Sequence, residues 1–277
     1  MLVSVAVGQS TSAKAELGLG VQAYKQAKHD EAIQHFEKAV ALDPEYVRAR
    51  LYLATAYVQQ YIPGADTPDN NAMAERAIAQ FRAVIDIDSS KPETTNALNP
   101  PQLAAATAPD SPKLETMHAV KGIAYLDLQM KRFDEAKDWY RRAIELDPQD
   151  PEPYYTIGVI DWTQTYQPRQ EERAKLGLRP NASLPARDNK ICSMLRERNS
   201  AKIQEGIDNL NKALQLRPDY DDAMAYMNLM YRERADVQCD NPAAREADLK
   251  TADDWVDKTL ATKKALAKKH EAPPAPE

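Results

Sequence analysis

The chain has 277 residues, of which 28% are charged, and its formal net charge is −6 at pH 7. This acidic balance argues against a nucleic-acid partner, because phosphate binding requires clustered Lys and Arg, and no apolar run approaches the roughly 20 residues that span a bilayer. The hydrophobic fraction of 43% is sufficient for a packed core, and the low glycine content, 8 residues, favours helix over strand.

Residues 1–12 form a short apolar start with two open interpretations. Ala6-Val7-Gly8, placed before Gln9, is similar to the small-x-small cleavage site of a secretory signal, although the basic residues that precede such a site are absent. The segment is therefore predicted to be either the remnant of a signal peptide or an ordinary frayed terminus.

A helical pattern recurs along the rest of the chain. It is clearest at 30–44, with the sequence Asp-Glu-Ala-Ile-x-x-Phe-x-x-Ala-Val-x-Leu-Asp-Pro, and residues 133–148 repeat it almost position for position. A third copy lies at 206–218, and a fourth at 77–89 has Ser89 where the others close with proline. Small residues at the Ala positions allow two helices to approach closely, the aromatic residue one turn later fills the gap, and proline ends the helix.

This pattern resembles the second helix of a tetratricopeptide repeat (TPR), in which a small residue is followed by an aromatic residue, an alanine and a closing proline. The preceding segments match the first helix of that repeat less fully, at Leu19-Gly20 with Tyr24, Leu53-Ala54 with Tyr57, Gly122 with Tyr125, Tyr154 with Ile157 and Gly158, and Met224 with Met227 and Tyr231. The resemblance covers most of residues 13–266 and implies an all-α solenoid of about five helical hairpins with a C-terminal capping helix. An ordinary helical bundle with chance similarity does not explain a pattern that recurs at several positions.

Departures from a regular array predict the domain organisation. Repeats 1 and 2 are expected over 13–89, a Pro-rich linker or loop over 90–112, repeats 3 to 5 as far as the first helix of repeat 5 over 113–242, the second helix of repeat 5 with a capping helix over 243–270, and a disordered tail over 271–277. The linker is expected either to divide the array or to fold back on it.

Inserted sequence is expected between the two helices of a repeat, where the turns of a solenoid form one common edge. The longest insertion is predicted over 165–200, between a first helix that ends near Gln164 and a second helix that is recognisable from Ala201. In the alternative interpretation, Arg169–Leu178 and Lys190–Asn199 are short helices of a degenerate extra repeat.

The two cysteines, Cys192 and Cys239, lie in insertions of adjacent repeats, on the same predicted edge. Stacking of the repeats would bring these insertions side by side, so a Cys192–Cys239 disulfide is predicted. A disulfide implies an oxidising compartment, which agrees with a signal remnant at residues 1–12, and a periplasmic or secreted protein is expected. The alternative is two reduced thiols in a cytoplasmic protein.

No constellation of residues predicts catalysis, so the chain is not expected to be an enzyme, and neither a cofactor nor a metal is expected. His29 and His35 are six residues apart and do not share a helical face, and no cysteine pair has the spacing of a metal site. Gly18-x-Gly20 lacks the third glycine and the preceding strand of a dinucleotide-binding loop.

The resemblance implies that the first helices line a concave groove that binds a protein or peptide partner. By family position, the partner-binding residues would be Tyr24, Lys25, Arg48, Gln59, Asp127, Tyr155 and Trp162, joined by Leu17, Val21, Leu51, Thr55, Val159 and Thr163. Tyr155 and Trp162 are expected to be interface anchors, because aromatic side chains bury much area at a low entropic cost. In the alternative, Trp162 is a core residue. Leu17 and Val21 occupy positions where a polar clamp would be expected, which argues against binding of a chaperone tail.

Two functions of different kinds are compatible with this sequence. The first is a non-catalytic scaffold that binds a partner protein through the groove or the inserted edge. The second is a structural protein whose copies stack end to end into homo-oligomers or filaments. The lysine-rich end of the last predicted helix, from Lys263 to Lys269, is typical of a polar cap and favours the scaffold.

Overall fold

The computed structural model describes residues 3–90, 112–179 and 189–271, and these residues form helices and connecting turns without a β-strand. In chain order the helices are α1 (Val3–Lys25), α2 (His29–Leu42), α3 (Val47–Gln60), α4 (Pro68–Ser89), α5 (Pro112–Gln129), α6 (Phe133–Leu146), α7 (Pro151–Lys175), α8 (Asn189–Leu216), α9 (Asp221–Asp236) and α10 (Pro242–Glu271). The all-α prediction is confirmed. Nearly all of the predicted linker at 90–112 and of the predicted tail at 271–277 lies outside the described residues.

The chain divides into two units, Met1–Leu146 and Asp147–Glu277. In the first unit α1 pairs with α2, α3 with α4 and α5 with α6, and successive hairpins pack through α2 against α3 and through α4 against α5. In the second unit α7 pairs with α8 and α9 with α10, while α9 also packs against α7 and α8. The described helices thus form five hairpins, which agrees with the expected number of repeats. None of them is long and apolar enough to cross a membrane.

Local sequence fixes where the helices begin. The Thr67 side chain accepts a hydrogen bond from the Asn70 amide at 3.3 Å, and proline occupies the first turn of α4. The Asp150 carboxylate accepts one from the Glu152 amide at 3.0 Å, again with proline in the first turn, at the start of α7. These caps satisfy amide groups that have no partner within the helix, and proline is tolerated there because its nitrogen has no hydrogen to donate.

Close approach of paired helices depends on glycine at equivalent places in two repeats. A methyl group on Gly20 in α1 would meet the ring of Phe36 in α2 at 2.4 Å, and one on Gly158 in α7 would meet Leu210 in α8 at 2.6 Å. Both distances are far below the ~3.5–4.0 Å at which carbon atoms attract one another. The repeated motif therefore encodes the helix spacing: a missing side chain in the first helix accommodates a large side chain in the second.

Helices α4 and α5 pack directly against each other although the predicted linker at 90–112 separates them in sequence. A methyl group on Gly122 in α5 would meet the ring of Phe81 in α4 at 2.5 Å, and the Thr116 hydroxyl donates to the Asp88 carboxylate at 2.8 Å. The boundary between the two compact units follows Leu146 and not the predicted linker.

The predicted insertion at 165–200 consists largely of helix. Helix α7 continues past Gln164 through Pro168 to Lys175, and α8 already begins at Asn189. The two flanking helices of the repeat are thus longer than expected, and the described residues of this region form no separate extra hairpin. Residues 180–188 lie outside the described part of the chain.

The turn between α3 and α4 is organised by one buried amide. The Asn70 side chain accepts a hydrogen bond from the Ile62 amide at 2.7 Å and donates to the carbonyls of Ile62 at 3.0 Å and Ala65 at 2.7 Å. Asn70 is only 8% exposed, so its side-chain amide depends on these backbone groups for its hydrogen bonds. A single side chain therefore closes this turn against the start of α4.

Candidate functional site

The first unit contains a groove between its first helices. It has a volume of about 400 Å³ and is lined by Tyr24, Arg48, Leu51, Tyr52, Thr55, Leu114, Glu115 and His118. The structure thus brings together four of the residues predicted to line a groove, Tyr24, Arg48, Leu51 and Thr55. Lys25 and Gln59 are exposed but do not line this groove.

Asp127 lies elsewhere than the sequence predicts. It is 4% exposed, and its carboxylate is 3.5 Å from the guanidinium of Arg132, which also pairs with Glu75. Burial raises the pKa of Asp127, although the neighbouring Arg132 acts in the opposite direction. The described contacts make Asp127 a structural residue that links α5 to the following turn, and it is not accessible to a partner.

The second unit carries an aromatic row, which we define as Tyr220, Tyr155, Tyr226, Trp162 and Tyr166 in order of contact. Successive ring centroids are 4.8, 5.7, 5.5 and 4.8 Å apart. Tyr155, Trp162 and Tyr166 lie on one face of α7, since they are about two turns and one turn apart, while Tyr226 belongs to α9 and Tyr220 precedes it.

All five rings of the aromatic row are half-buried. Tyr155, Trp162, Tyr220 and Tyr226 pack against the core of the second unit, so Trp162 is not fully enclosed in the core. Burial raises the pKa of Tyr155 and Tyr226, and it raises the pKa of Tyr220 to about 12. These hydroxyl groups therefore remain protonated and able to donate hydrogen bonds throughout the neutral pH range.

The sequence predicted part of this row and missed the rest. Tyr155 and Trp162 were expected in the groove, and the structure places them together. Tyr220 and Tyr226 were not predicted, because the fifth repeat matches its motif at Met224, Met227 and Tyr231, and neither tyrosine occupies one of these positions. Tyr220 and Tyr226 are separated from Tyr155 by the whole of α8, so the sequence gives no indication that their rings are in contact.

A pocket lined by arginine lies at the Tyr166 end of the row. We call it the arginine pocket; its volume is about 460 Å³ and its lining is Trp162, Tyr166, Arg169, Gln170, Arg173, Leu229, Arg232, Glu233, Asp236, Arg245 and Leu249. The side chains come from α7, α9 and α10, all in the second unit. Arg169 continues the row into the pocket, because its guanidinium lies 5.4 Å from the ring centre of Tyr166.

Two buried arginines and two buried acids form the floor of the arginine pocket. Arg169 pairs with Glu233 at 2.8 Å and with Asp236 at 2.5 Å, and Arg173 also pairs with Asp236 at 2.5 Å. At the mouth, Arg245 is 3.9 Å from Asp236, and Arg232 pairs with an exposed aspartate at 2.7 Å. Asp236 is therefore the centre of this network, contacted by three guanidinium groups.

Glu233 is the most enclosed acid of the pocket, with 1% exposure. Burial raises its pKa to about 7, and the nearby Asp236 acts in the same direction, whereas Arg169 and Arg173 oppose the shift. Because the charged form is disfavoured in a site that water does not reach, Glu233 exists partly as the neutral acid at neutral pH.

A disulfide bond joins Cys192 to Cys239, with their Cα atoms 5.6 Å apart. It connects the first turn of α8 to the segment between α9 and α10. Nearby, Arg196 donates from Nε to the carbonyl of Val237 at 2.9 Å. The two contacts hold the chain that directly follows Asp236, so they fix the C-terminal end of α9 from which the centre of the arginine network projects.

The described residues contain no group of three or more His, Cys, Asp or Glu side chains that could hold a metal ion. The arginine pocket does not have the donor set of a metal site either, because its cationic side chains outnumber its carboxylates. The aromatic row and the arginine pocket therefore offer a ligand aromatic area, hydrogen-bond donors and positive charge.

Comparisons with known proteins identify the repeat. A family model described as "Tetratricopeptide repeat" matches residues 13–46, and one described as "TPR repeat" matches residues 124–164. Neither is the model of an enzyme family. No curated protein sequence matches the chain significantly.

Solved structures resemble this fold over nearly its whole length. The crystal structure of MamA protein is 14% identical, with 96% of this chain and 98% of that chain covered and a TM-score of 0.56. MamA 41-end from Desulfovibrio magneticus RS-1 is 13% identical, with 92% of this chain and 96% of that chain covered and a TM-score of 0.53. At this level of identity the likeness concerns the fold alone. Together with the two matched repeats and the five helical hairpins, it shows that the chain has the fold of a tetratricopeptide-repeat solenoid.

Proposed function

We propose that this chain is a non-catalytic binding protein that holds a segment of a partner protein along the aromatic row. The observation that carries the proposal is the unbroken contact of five half-buried rings, four on the first helices of the last two repeats and Tyr220 directly before the second of them. Four of the rings, those of Tyr155, Trp162, Tyr220 and Tyr226, pack against the core of the second unit, and all five rings are half-buried. Such rings are held rigidly before a partner arrives, so little conformational entropy is lost when one binds.

Each end of the aromatic row adds a positive charge to the aromatic surface that a partner segment would meet. The guanidinium of Arg217 lies 4.3 Å from the ring centre of Tyr220, and that of Arg169 lies 5.4 Å from the ring centre of Tyr166. The row is therefore an aromatic surface with a cation at each end. Aromatic and arginine side chains are the residues that most often dominate binding energy at protein interfaces.

The test compares variants of the full chain as bait. Trp162→Ala and Tyr226→Ala each remove one ring from the middle of the row, and Tyr125→Ala removes an exposed ring of the first unit that lines neither the groove nor the pocket. Proteins captured from the native host are quantified by mass spectrometry, and circular dichroism verifies helix content. We expect the two row variants to lose the same captured protein while the Tyr125 variant retains it. Equal capture by all three would refute the proposal.

The groove of the first unit is a second candidate surface, proposed on the convergence of Tyr24, Arg48 and Tyr52 around a volume of about 400 Å³. Tyr52→Ala in the same capture experiment distinguishes the two surfaces. If this variant alone loses the partner, binding belongs to the groove. Size-exclusion chromatography with light scattering then decides whether the partner is another copy of this chain, which is the self-assembly that the sequence left open.

We further propose that the protein works in an oxidising compartment, either periplasmic or extracellular. The support is the Cys192–Cys239 disulfide, since such bonds persist where thiols are not continuously reduced. Protein isolated from its native host is treated with an alkylating reagent before any reductant. Recovery of both cysteines in alkylated form would place the chain in a reducing compartment.

A further inference from the structure

We propose that the partner segment held by the aromatic row is a proline-rich segment in the polyproline II conformation. This proposal rests on the proposed function, because it names the kind of segment that the same five rings bind. Proteins recognise such segments on surfaces lined by aromatic side chains, since a polyproline II helix is already extended and ordered before it binds. Three features of the row favour this partner: its hydrogen-bond donors, the spacing of its rings and the charges around it.

The polar atoms of the aromatic row are available to a partner. Among the described residues, the hydroxyls of its four tyrosines and the indole N–H of Trp162 make no hydrogen bond within the protein, and none of these atoms is completely enclosed. Because burial raises the pKa of Tyr155, Tyr220 and Tyr226, their hydroxyls keep the proton that they would donate. The row therefore presents hydrogen-bond donors beside its apolar ring faces.

A polyproline II segment supplies the matching acceptors. It has no internal hydrogen bonds, so all of its carbonyl groups are open to the donors of the row, and proline has no N–H group that would need an acceptor in return. An α-helix, in contrast, uses all but its last four carbonyls internally. A helix lying on the row would cover these donors without providing acceptors, which is unfavourable.

The rings on α7 are spaced like the turns of a polyproline II helix. Tyr155 and Trp162 are seven residues apart on α7, so they lie about 10.5 Å apart along its axis. One turn of polyproline II contains three residues and rises about 9.3 Å, so prolines at positions i and i+3 match these two rings to within about 1 Å. Tyr226 contacts both rings at interplanar angles of 78°, so the surface between them is a corner of ring faces and edges.

The charges around the aromatic row favour a neutral segment. Burial raises the pKa of Tyr155 and Tyr226, and the negative charge of the exposed Asp222 adds to both shifts. The guanidinium groups of Arg217 and Arg169 lie over the two terminal rings. An acidic segment would meet Asp222 beside the middle of the row, and a basic segment would meet an arginine at each end. Proline side chains carry no charge and avoid both conflicts.

Peptide probes test the partner class on the full chain with its disulfide intact. Acetyl-nonaproline amide adopts polyproline II, a Gly-Ala-Ser peptide of the same length is flexible, and a peptide of leucine, glutamate and lysine about 14 residues long is patterned as an amphipathic helix. Binding is followed by nuclear magnetic resonance at the indole N–H of Trp162. We expect nonaproline to bind about tenfold or more tightly than the flexible peptide, because a preformed segment loses less conformational entropy.

Matched variants assign the binding to the aromatic row. Tyr155→Phe and Tyr226→Phe keep their rings but lose their hydroxyls, and each should weaken nonaproline binding by about threefold or more. Tyr125→Phe makes the same change on an exposed ring of the first unit and should leave the affinity unchanged. Trp162→Ala removes a whole ring and should weaken binding by about tenfold or more, with helix content verified by circular dichroism.

The outcomes separate the proline-rich partner from the proposed function. Equal affinity for nonaproline and the flexible peptide, no binding of nonaproline, or tighter binding of the helical peptide would overturn the proline-rich assignment. Unchanged affinity in both phenylalanine variants of the row would overturn it as well, because the donors would then have no role. A host protein whose capture is lost with Trp162→Ala and Tyr226→Ala would still show that the row holds a partner of another kind.

Discussion

The spacing of the first hairpin predicts that two alanine substitutions in one helix have opposite effects on stability. Gly18 and Gly20 both lie in α1. A methyl group on Gly18 meets nothing within 4 Å, whereas one on Gly20 meets two ring carbons of Phe36 at 2.4 and 2.5 Å. Each substitution gains about 1 kcal/mol of helix propensity, but only Gly20→Ala also has to displace a buried ring.

The size of the second effect follows from the surroundings of Phe36. The ring is fully buried and its centroid is 5.6 Å from that of Tyr52 in α3, so it cannot move into free space. Overpacking of a core typically costs about 1–3 kcal/mol, and an overlap this deep belongs at the upper end. We therefore expect Gly20→Ala to lose about 2 kcal/mol in net stability and Gly18→Ala to gain about 1 kcal/mol.

Guanidinium unfolding followed by circular dichroism measures both variants against the wild type. Phe36→Leu serves as the partner of a double-mutant cycle: if the ring is the cause, Gly20→Ala costs less in the Phe36→Leu background than alone. Equal stability of the Gly18 and Gly20 variants, or strict additivity in the cycle, would refute the explanation of the repeated small residue as a spacer for the facing ring.

Three other predictions concern single contacts. Asn70→Ala removes three hydrogen bonds to the backbone of the preceding turn and should destabilise the first unit by about 2–3 kcal/mol; a loss under about 0.5 kcal/mol in denaturant unfolding would contradict it. Replacing Cys192 and Cys239 by serine opens a loop of 47 residues, which the chain-entropy relation values at about 4 kcal/mol, and calorimetry should show a lowered melting temperature for the second unit only. Burial holds the pKa of Glu233 at about 7, above its ordinary value of 4.5. The folded state therefore binds the proton more tightly than the unfolded state, and the free energy of unfolding falls by up to about 3 kcal/mol as the pH rises from about 4.5 to 7. Glu233→Gln should remove this decline, and parallel pH profiles of the two proteins would refute it.

The repeated motif was sufficient to predict the fold because its positions have one physical meaning in every copy. Ala32 and Ala136 are both fully buried where two helices approach, and Asp-Pro follows the end of both α2 and α6. Such requirements are local, since they link residues a turn or two apart on one hairpin. They leave a signal in the sequence that can be recognised without knowledge of the structure.

The extended part of α7 gave no such signal. Beyond Gln164 the buried positions of this helix include Arg169 and Arg173. In the sequence alone, where their acidic partners on α9 are not apparent, two arginines indicate a solvent-exposed segment. Proline usually ends or kinks a helix, yet α7 continues through Pro168. The arginine pocket was missed for the same reason, because burial of charge depends on acids more than sixty residues away in sequence.

In the second unit, residues that match the repeat motif and residues that depart from it therefore have different roles. Positions that follow the repeat set the spacing of α7, α8 and α9, and this spacing brings the rings of Tyr155, Trp162 and Tyr226 into one row. The extra turns of α7 depart from the repeat, and they carry the arginines that meet α9 and α10. The disulfide fixes the segment that follows Asp236, so the centre of the ion-pair network is anchored at the place where the repeat no longer determines the structure.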